Sequence, residues 1–415
     1  MTVHVVGAGL AGLSAATALA EAGVEVEVSE AAAQAGGRCR SYFDAQLGLT
    51  IDNGNHLVLS GNPAVHAYLA RIGASERLTG PKETRFPFVD LATGARWTVR
   101  PNAGPLPWWI FAKDRGVPGA TLGDYLGMGA LAFGNAGKRV DQAVRCEGPV
   151  WDKLMRPFLL AALNLAPEAG SAELCGAVIR ETLLKGGRAY APRVPTPGLA
   201  AAFVDPALAY LERYGGRMRL QRRLTGLEVE GGRIAALSFS DGAVPLGEAD
   251  RVVLAVPPWV AAELMPGLTV PDAFEGIVNG HFLARAPADA PLIVGLLNAT
   301  VEWIFCFEDR ISVTVSGANA IIGEARETLA KRLWAEVAQA LGLLDELPPW
   351  QIVKEKRATF AATVEQNAKR PRARTGLANL ALAGDWTATG LPATIEGALR
   401  SGETAARLVR QETRA

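Results

Sequence analysis

The chain opens on an apolar stretch, "VHVV", runs through glycines into an alanine-rich segment, and leaves it on a strict alternation, "VEVEV". Buried strand, helix and second strand in that order make "TVHVVGAGLAGLSAATALAEAGVEVEVSE" a βαβ unit. After Gly61 this regularity is lost, and residues 81–120, with "GPLPWWIFAKDRGVPG", read as loops and short strands leaving the first domain. Helical periodicity returns in "WDKLMRPFLLAALNLAP" and "SAELCGAVIRETLLKGG". Apolar residues fall on more than one face of both, which predicts burial, with Ser171 as N-cap and Gly186 as stop of the second. "AAFVDPALAYLERYGG" follows as a helix, then strand-turn-strand text up to Gly242 and the strand "ADRVVLAVPP", closed by prolines. Strands dominate residues 276–316, a long amphipathic helix spans about residues 323–341, and "WQIVKEKRATFAAT" is a further strand. The last fifty residues return to the opening style of apolar strand, glycine turn and helix.

Length and charge narrow the picture. The 415 residues suggest two or three domain-sized units built from interleaved segments. Lys plus Arg and Asp plus Glu both total 42, so no global field exists to hold nucleic acid, and a nucleic-acid partner is excluded. Cys39, Cys146, Cys175 and Cys306 lie far apart with no C-x-x-C pair, which argues against a metal site and against a disulfide framework. The chain enters a strand within a few residues of Met1, leaving no room for a cleavable signal, and no apolar stretch reaches the ~18 residues that span a bilayer. The expectation is a cytoplasmic protein whose only membrane contact is peripheral, on the inner face.

Gly7, Gly9 and Gly12 form G-x-G-x-x-G between strand and helix, with Leu10 and Ala11 inside the motif. The first glycine permits the tight turn, the second lets backbone approach a pyrophosphate, and the third packs helix on strand. Glu30 ends the second strand, where an acid accepts both ribose hydroxyls and disfavours a 2′-phosphate. Gly36, Gly37 and Arg38 then follow in G-G-R-x-x-S. That extension resembles the flavoprotein amine oxidase and phytoene desaturase superfamily, where it lies along FAD. In that superfamily a C-terminal G-[DE] precedes a helix facing the flavin ring, and this chain supplies Gly384, Asp385 and a helix beginning near Ile395 and Glu396. The resemblance implies an α/β, two-lobed amine oxidase-like fold with a Rossmann-type FAD-binding domain and a mixed α+β substrate domain. Asn53, Gly54 and Leu224 join the expected cofactor contacts. Residues 361–400 hold no cysteine, so the FAD is expected without a covalent link.

A closer resemblance covers nearly the whole chain. "DNGNH", "PFVDL", "LPWWIF", "IRETL", "FVDPAL", "VVLAVPP", "IVNGHF" and "ATIEGA" resemble the bacterial hydroxysqualene dehydroxylase family, also called squalene-associated FAD-dependent desaturases. The activity this implies is reductive removal of the hydroxyl of hydroxysqualene by reduced FAD, giving squalene for hopanoid-type synthesis. A polyene desaturase shares the architecture and the long hydrocarbon substrate; direction of electron flow and the electron donor, which the sequence does not encode, separate the two. An amine oxidase-like oxidase and a non-catalytic FAD-binding protein are the remaining alternatives.

Removing an allylic hydroxyl needs a hydride, a proton for the leaving group and a dry pocket for passing positive charge. Trp108, Trp109, Phe111, Trp303, Phe305 and Phe307 are candidate pocket walls, though any one of them reads more readily as core packing. His56 and His281 remain as proton donors once His4 is placed in the first strand and His66 in a surface helix; Asp52 and Glu396 are the alternative acids. "LPWWIFAKDRG" sets two tryptophans and a phenylalanine beside Lys113 and Arg115, readable as an interfacial anchor or as a buried loop. Residues 1–75, 198–265 and 375–415 are expected to build the FAD-binding domain, and 76–197 and 266–374 the substrate domain.

Overall fold

The computed structural model describes residues 1–133 and 135–411. Val3, Val5, Val26 and Val28 are all buried, as befits a parallel sheet covered on both faces. Arg217–Arg219, Glu25–Ser29, Thr2–Val6, Arg251–Leu254 and Leu380–Leu382 form this five-stranded sheet in that order, all parallel. Val5 stands opposite both Val28 and Val253. Strand order departs from Thr2–Val6 in both directions, so a crevice opens at its carboxyl end.

Helices Leu10–Glu21 and Ile395–Gln411 pack against one another beside this sheet. Ser14 Oγ donates to the Leu399 carbonyl at 2.9 Å, and a Cβ on Gly402 would collide with the Ala11 carbonyl. Glycine alone permits that approach.

The second lobe is built on a seven-stranded mixed sheet, in the order Trp350–Phe360, Phe274–Phe282, Ile311–Val315, Trp303–Cys306, Ile293–Leu297, Phe86–Asp90, Arg96–Val99. Neighbours are antiparallel except Ile293–Leu297 beside Phe86–Asp90. Register sorts the side chains onto two faces. Val278, Val294, Ile304 and Val313 lie on one and pack on Leu333, Trp334 and Val337 of helix Arg326–Leu341. The opposite face carries Asn279, His281, Ser312 and Thr314, then Trp303 and Phe305, then Phe88. One face of one sheet thus passes from polar to aromatic.

A helical layer covers the aromatic end. Trp151–Met155, a π-helical turn, runs into Arg156–Leu163, and Ala172–Glu181 follows. Trp151, Leu159 and Ile179 share an apolar cluster with Phe88, Trp303 and Phe305. Ser171 caps the later helix as its sequence suggests, accepting from the Leu174 N–H. That helix stops at Glu181 and not at Gly186, because Thr182 leaves helical geometry at φ −120°, ψ −85° and Leu183–Lys185 continues as a 3-10 turn. Among the described residues no helix is long and apolar enough to cross a membrane.

Gly402→Ala is expected to destabilise the protein by about 2 kcal/mol, the usual cost of an added carbon in a closed contact. Urea unfolding of the FAD-loaded protein checks this, and an unchanged midpoint would show that the two helices can part without penalty.

Candidate active site

The glycine turn follows from its backbone. Gly7 adopts φ +105°, and a Cβ on it would strike the Ala255 carbonyl, as one on Gly12 would strike the Gly7 carbonyl. A Cβ on Gly9 would meet nothing within 4 Å. The second glycine therefore leaves its open side to the crevice at the start of helix Leu10–Glu21, where Leu10 and Ala11 form the first turn. Gly36 bridges to Gly9 and donates its N–H to the Ala8 carbonyl at 2.8 Å, which lays Gly36, Gly37 and Arg38 beside the turn.

Glu30 closes one end of this cradle. Its carboxylate accepts from the N–H groups of Ala8 at 2.7 Å and Ala32 at 2.8 Å, leaving lone pairs for ribose hydroxyls. Arg219 and Arg222 are hydrogen-bonded to the Glu30 backbone, and the chain continues to Leu224, the buried first residue of strand Leu224–Glu230. At the other end Arg38 Nη2 donates to Asp385 Oδ2 at 2.7 Å. Gly384 gives its N–H to Ser401 Oγ at 2.8 Å, and Ile395 lies buried where helix Ile395–Gln411 begins. An open-sided glycine turn at a helix start, with an acid at one end and a second helix start at the other, fits an extended dinucleotide.

The strip after strand Leu49–Asp52 is fastened to the polar half of the seven-stranded sheet. Asn53 Nδ2 donates to Glu355 Oε2 at 3.2 Å. Asn55 Nδ2 donates to the Val313 carbonyl at 3.0 Å and Thr314 Oγ1 at 3.2 Å, while Thr314 Oγ1 donates to Asn279 Oδ1 at 2.9 Å. Buried Gly54 lies against Asn279, whose Nδ2 would be 3.1 Å from an added Cβ.

His281 is buried with both ring nitrogens engaged, Nδ1 with Ser312 Oγ at 2.8 Å and Nε2 with the Asp52 carbonyl at 3.1 Å. A carbonyl only accepts, so the proton sits on Nε2 and Ser312 donates to Nδ1. Burial first, then the Arg310 charge, pushes its pKa down to about 3. The proton-donor expectation for His281 is therefore corrected: this neutral imidazole is a tether between strip and sheet. His56 is half-buried, and burial, followed by the Arg38 charge, pushes its pKa down to about 4.

Three further expectations change. Glu396 accepts from the N–H groups of Ala64 at 3.1 Å and Val65 at 3.0 Å and from Arg400 Nε at 2.6 Å; it caps helix Pro63–Arg71, a different task from giving a proton. Asp52 Oδ1 accepts from Ser41 Oγ at 2.5 Å and Leu199 N–H at 2.9 Å, so it too anchors chain. The tryptophan pair divides: Trp109 is 7% exposed and meets Tyr125 edge-on, whereas Trp108 is 52% and Phe111 70% exposed. Trp108 and Phe111 thus stand on the outer surface and not on a pocket wall.

Trp303 and Phe305 do lie together, with Phe305 stacked on Phe307 and Trp303 tilted against Phe88 at 5.7 Å. The Trp303 indole N–H is buried and has no hydrogen-bond partner among the described residues. Asn279, Ser312, Thr314 and Phe88 share this face of the seven-stranded sheet, and sequence reasoning passed over them. The signal for Asn279 is its place two residues before His281 in one strand. All four thiols are free, and burial pushes Cys39 and Cys175 up to about 12 and Cys146 and Cys306 to about 11.

Fold and site together define a flavoprotein of the flavin-containing amine oxidoreductase family, whose model matches residues 10–410; FAD is the cofactor. Cyclohexylamine oxidase from Brevibacterium oxydans shares the architecture with a TM-score of 0.72 and 14% identity, over 100% of this chain and 99% of that one. Much nearer are hydroxysqualene dehydroxylases from Rhodopseudomonas palustris, 50% identical over 98% of both chains, and Sinorhizobium fredii, 50% identical over 99% of both. The chain belongs to the hydroxysqualene dehydroxylase family.

Because the folded-state pKa of His281 lies far below its ordinary 6.5, its contribution to stability is complete above pH 6.5 and is lost as pH falls toward 3, where only the unfolded chain takes up the proton. The slope is about 1.4 kcal/mol per pH unit. His281→Gln should remove about 2 kcal/mol of the stability difference between pH 7 and pH 5 in urea titrations; an unchanged difference would mean that the imidazole is not held neutral.

Proposed function

We propose that this protein removes the hydroxyl of hydroxysqualene to give squalene, a step of triterpene synthesis. The observation that carries the reading is 50% identity over essentially the full length of both chains, middle segments included. In the reaction the C–O bond breaks, a hydride takes its place on carbon, and the hydroxyl leaves as water with one proton. Reduced FAD supplies the hydride.

The chain's own residues are proposed to bind, orient and protonate. Backbone at Gly7, Gly9, Gly36 and Gly37, with Glu30, Arg38 and Asp385, holds the dinucleotide; Asn53 and Gly54 carry the strip along the flavin. Phe88, Trp303 and Phe305 give the isoprenoid an aromatic wall whose ring faces favour developing positive charge and exclude water. The unused Trp303 N–H is a ready donor for the substrate's hydroxyl oxygen. His56 relays the proton: with its pKa near 4, its neutral form dominates at pH 7, and the acid form grows as pH falls. Residues 1–75, 198–265 and 375–415 form the FAD-binding domain on this reading, and the intervening segments the substrate domain. An isoprenoid alcohol partitions into lipid, so the enzyme is proposed to work at the inner face of a membrane.

Photoreduced protein mixed anaerobically with hydroxysqualene should reoxidise its flavin and yield squalene by mass spectrometry. Reoxidation without squalene would remove this assignment. Trp303→Phe, which keeps the ring and drops the donor, should lower kcat/KM about fivefold, the worth of one neutral hydrogen bond. For wild type, kcat should rise as pH falls from 8 toward 5, and His56→Gln should abolish that limb while retaining FAD. A rise of the same size in the variant would exclude His56 as the proton relay.

A further inference from the structure

Six large apolar side chains that the fold leaves exposed come from one short stretch, Leu106, Trp108, Phe111, Leu122, Leu126 and Phe133. Exposed Leu184 joins them, because Gly186 is pressed on the backbone of Gly104 and Pro105, and Gly187 donates its N–H to the Asn102 carbonyl at 3.0 Å. The turn Trp108–Phe111 packs on helix Leu122–Gly129, with Tyr125 Oη accepting the Val117 N–H at 2.7 Å. Leu122 and Leu126, one turn apart, form the outer face of that helix, where a soluble surface would carry charge.

The inner side of the same surface faces the site. Trp109, Met128, Leu131 and Ala132 are buried in the apolar cluster that contains Phe88, Trp303 and Phe305. Apolar material is therefore continuous from the exterior to the aromatic wall. Charge there is mixed: residues 106–133 hold Lys113 and Arg115 against Asp114 and Asp124, while the wider stretch 100–193 holds twelve Lys and Arg against eight Asp and Glu. Lys113, Lys138 and Arg188 are exposed in the segments that carry the apolar residues, and the Arg115 guanidinium lies 5.0 Å over the Trp108 ring. Exposed aromatic and leucine side chains with Lys113 and Arg115 among them suit a bilayer with anionic headgroups.

We infer that this surface, formed by residues 106–133 and 184, docks on an anionic lipid bilayer and is the mouth through which a membrane-dissolved substrate reaches the aromatic wall. The inference rests on the isoprenoid reading given above. Tryptophan and phenylalanine side chains enter the headgroup boundary, the cations pair with lipid phosphate, and the substrate passes from acyl chains to protein without crossing water.

The FAD-loaded protein is floated with vesicles of phosphatidylcholine, alone or mixed with phosphatidylglycerol. Wild type should float with the mixed vesicles and more weakly with phosphatidylcholine alone. The variant Leu106→Ser/Leu126→Ser/Phe133→Ser should lose at least about tenfold in partitioning, since each large apolar side chain carries roughly that much. With hydroxysqualene dissolved in vesicles its turnover should fall in parallel, while in detergent micelles it should equal wild type. Failure of wild type to float with mixed vesicles would overturn the docking surface. A concentration-dependent dimer of wild type, abolished by the triple change, would overturn it too, by assigning the patch to a second copy. Absence of squalene from wild type in micelles would instead strike the catalytic reading, which flotation does not measure.

Discussion

Polar groups shut away from water must find partners, and this fold satisfies that requirement where its lobes meet. The strip from Asp52 to His56 brings amide and carbonyl groups against the polar half of the seven-stranded sheet. Asn55 reaches Val313 and Thr314, Thr314 reaches Asn279, and His281 spans from Ser312 to the Asp52 carbonyl. An amide or imidazole left without its partner there costs on the order of 1–3 kcal/mol. These directional bonds fix the strip in one register on the sheet, which apolar contact alone would leave free to slide.

The same sheet shows how one register serves two purposes. Strand alternation sends valines and isoleucines to helix Arg326–Leu341 and sends everything chemical to the opposite face. Along that face, polar residues stand beside the Asp52–His56 strip and rings stand beyond them. The gradient matches a reaction in which a charged and hydrogen-bonded cofactor must act on a hydrocarbon. Neither half would serve alone, because amides would hydrate the substrate region and rings would leave the strip's polar groups unpaired.

Local pattern made much of this legible. G-x-G-x-x-G between an apolar strand and a helix, Glu30 at the next strand end, and Gly384 with Asp385 near the end of the chain announced the dinucleotide lobe, and strand text from Phe274 to Val315 announced the second sheet. The local fold was legible where it lives in backbone and illegible where it lives in pairing. His281 looked like an acid because nothing nearby in sequence reveals that its partner is a carbonyl 229 positions away. Glu396 looked like a flavin-facing acid, yet its donors are the N–H groups of Ala64 and Val65. Trp108 and Trp109 are consecutive, and a tight turn sends one outward and the other into the core, a division that composition cannot express.

The bond between Arg38 and Asp385 joins segments separated by 347 positions, and Ser401 and Ile395 lie further on still. One wall of the cofactor cradle is thus written in the opening tenth of the chain and the other in its closing tenth. On a ribosome, the first βαβ unit emerges hundreds of residues before the segment that carries Asp385. A chain lacking strand Leu380–Leu382 and helix Ile395–Gln411 would leave Arg38 without its Asp385 partner and helix Leu10–Glu21 without the neighbour it packs on.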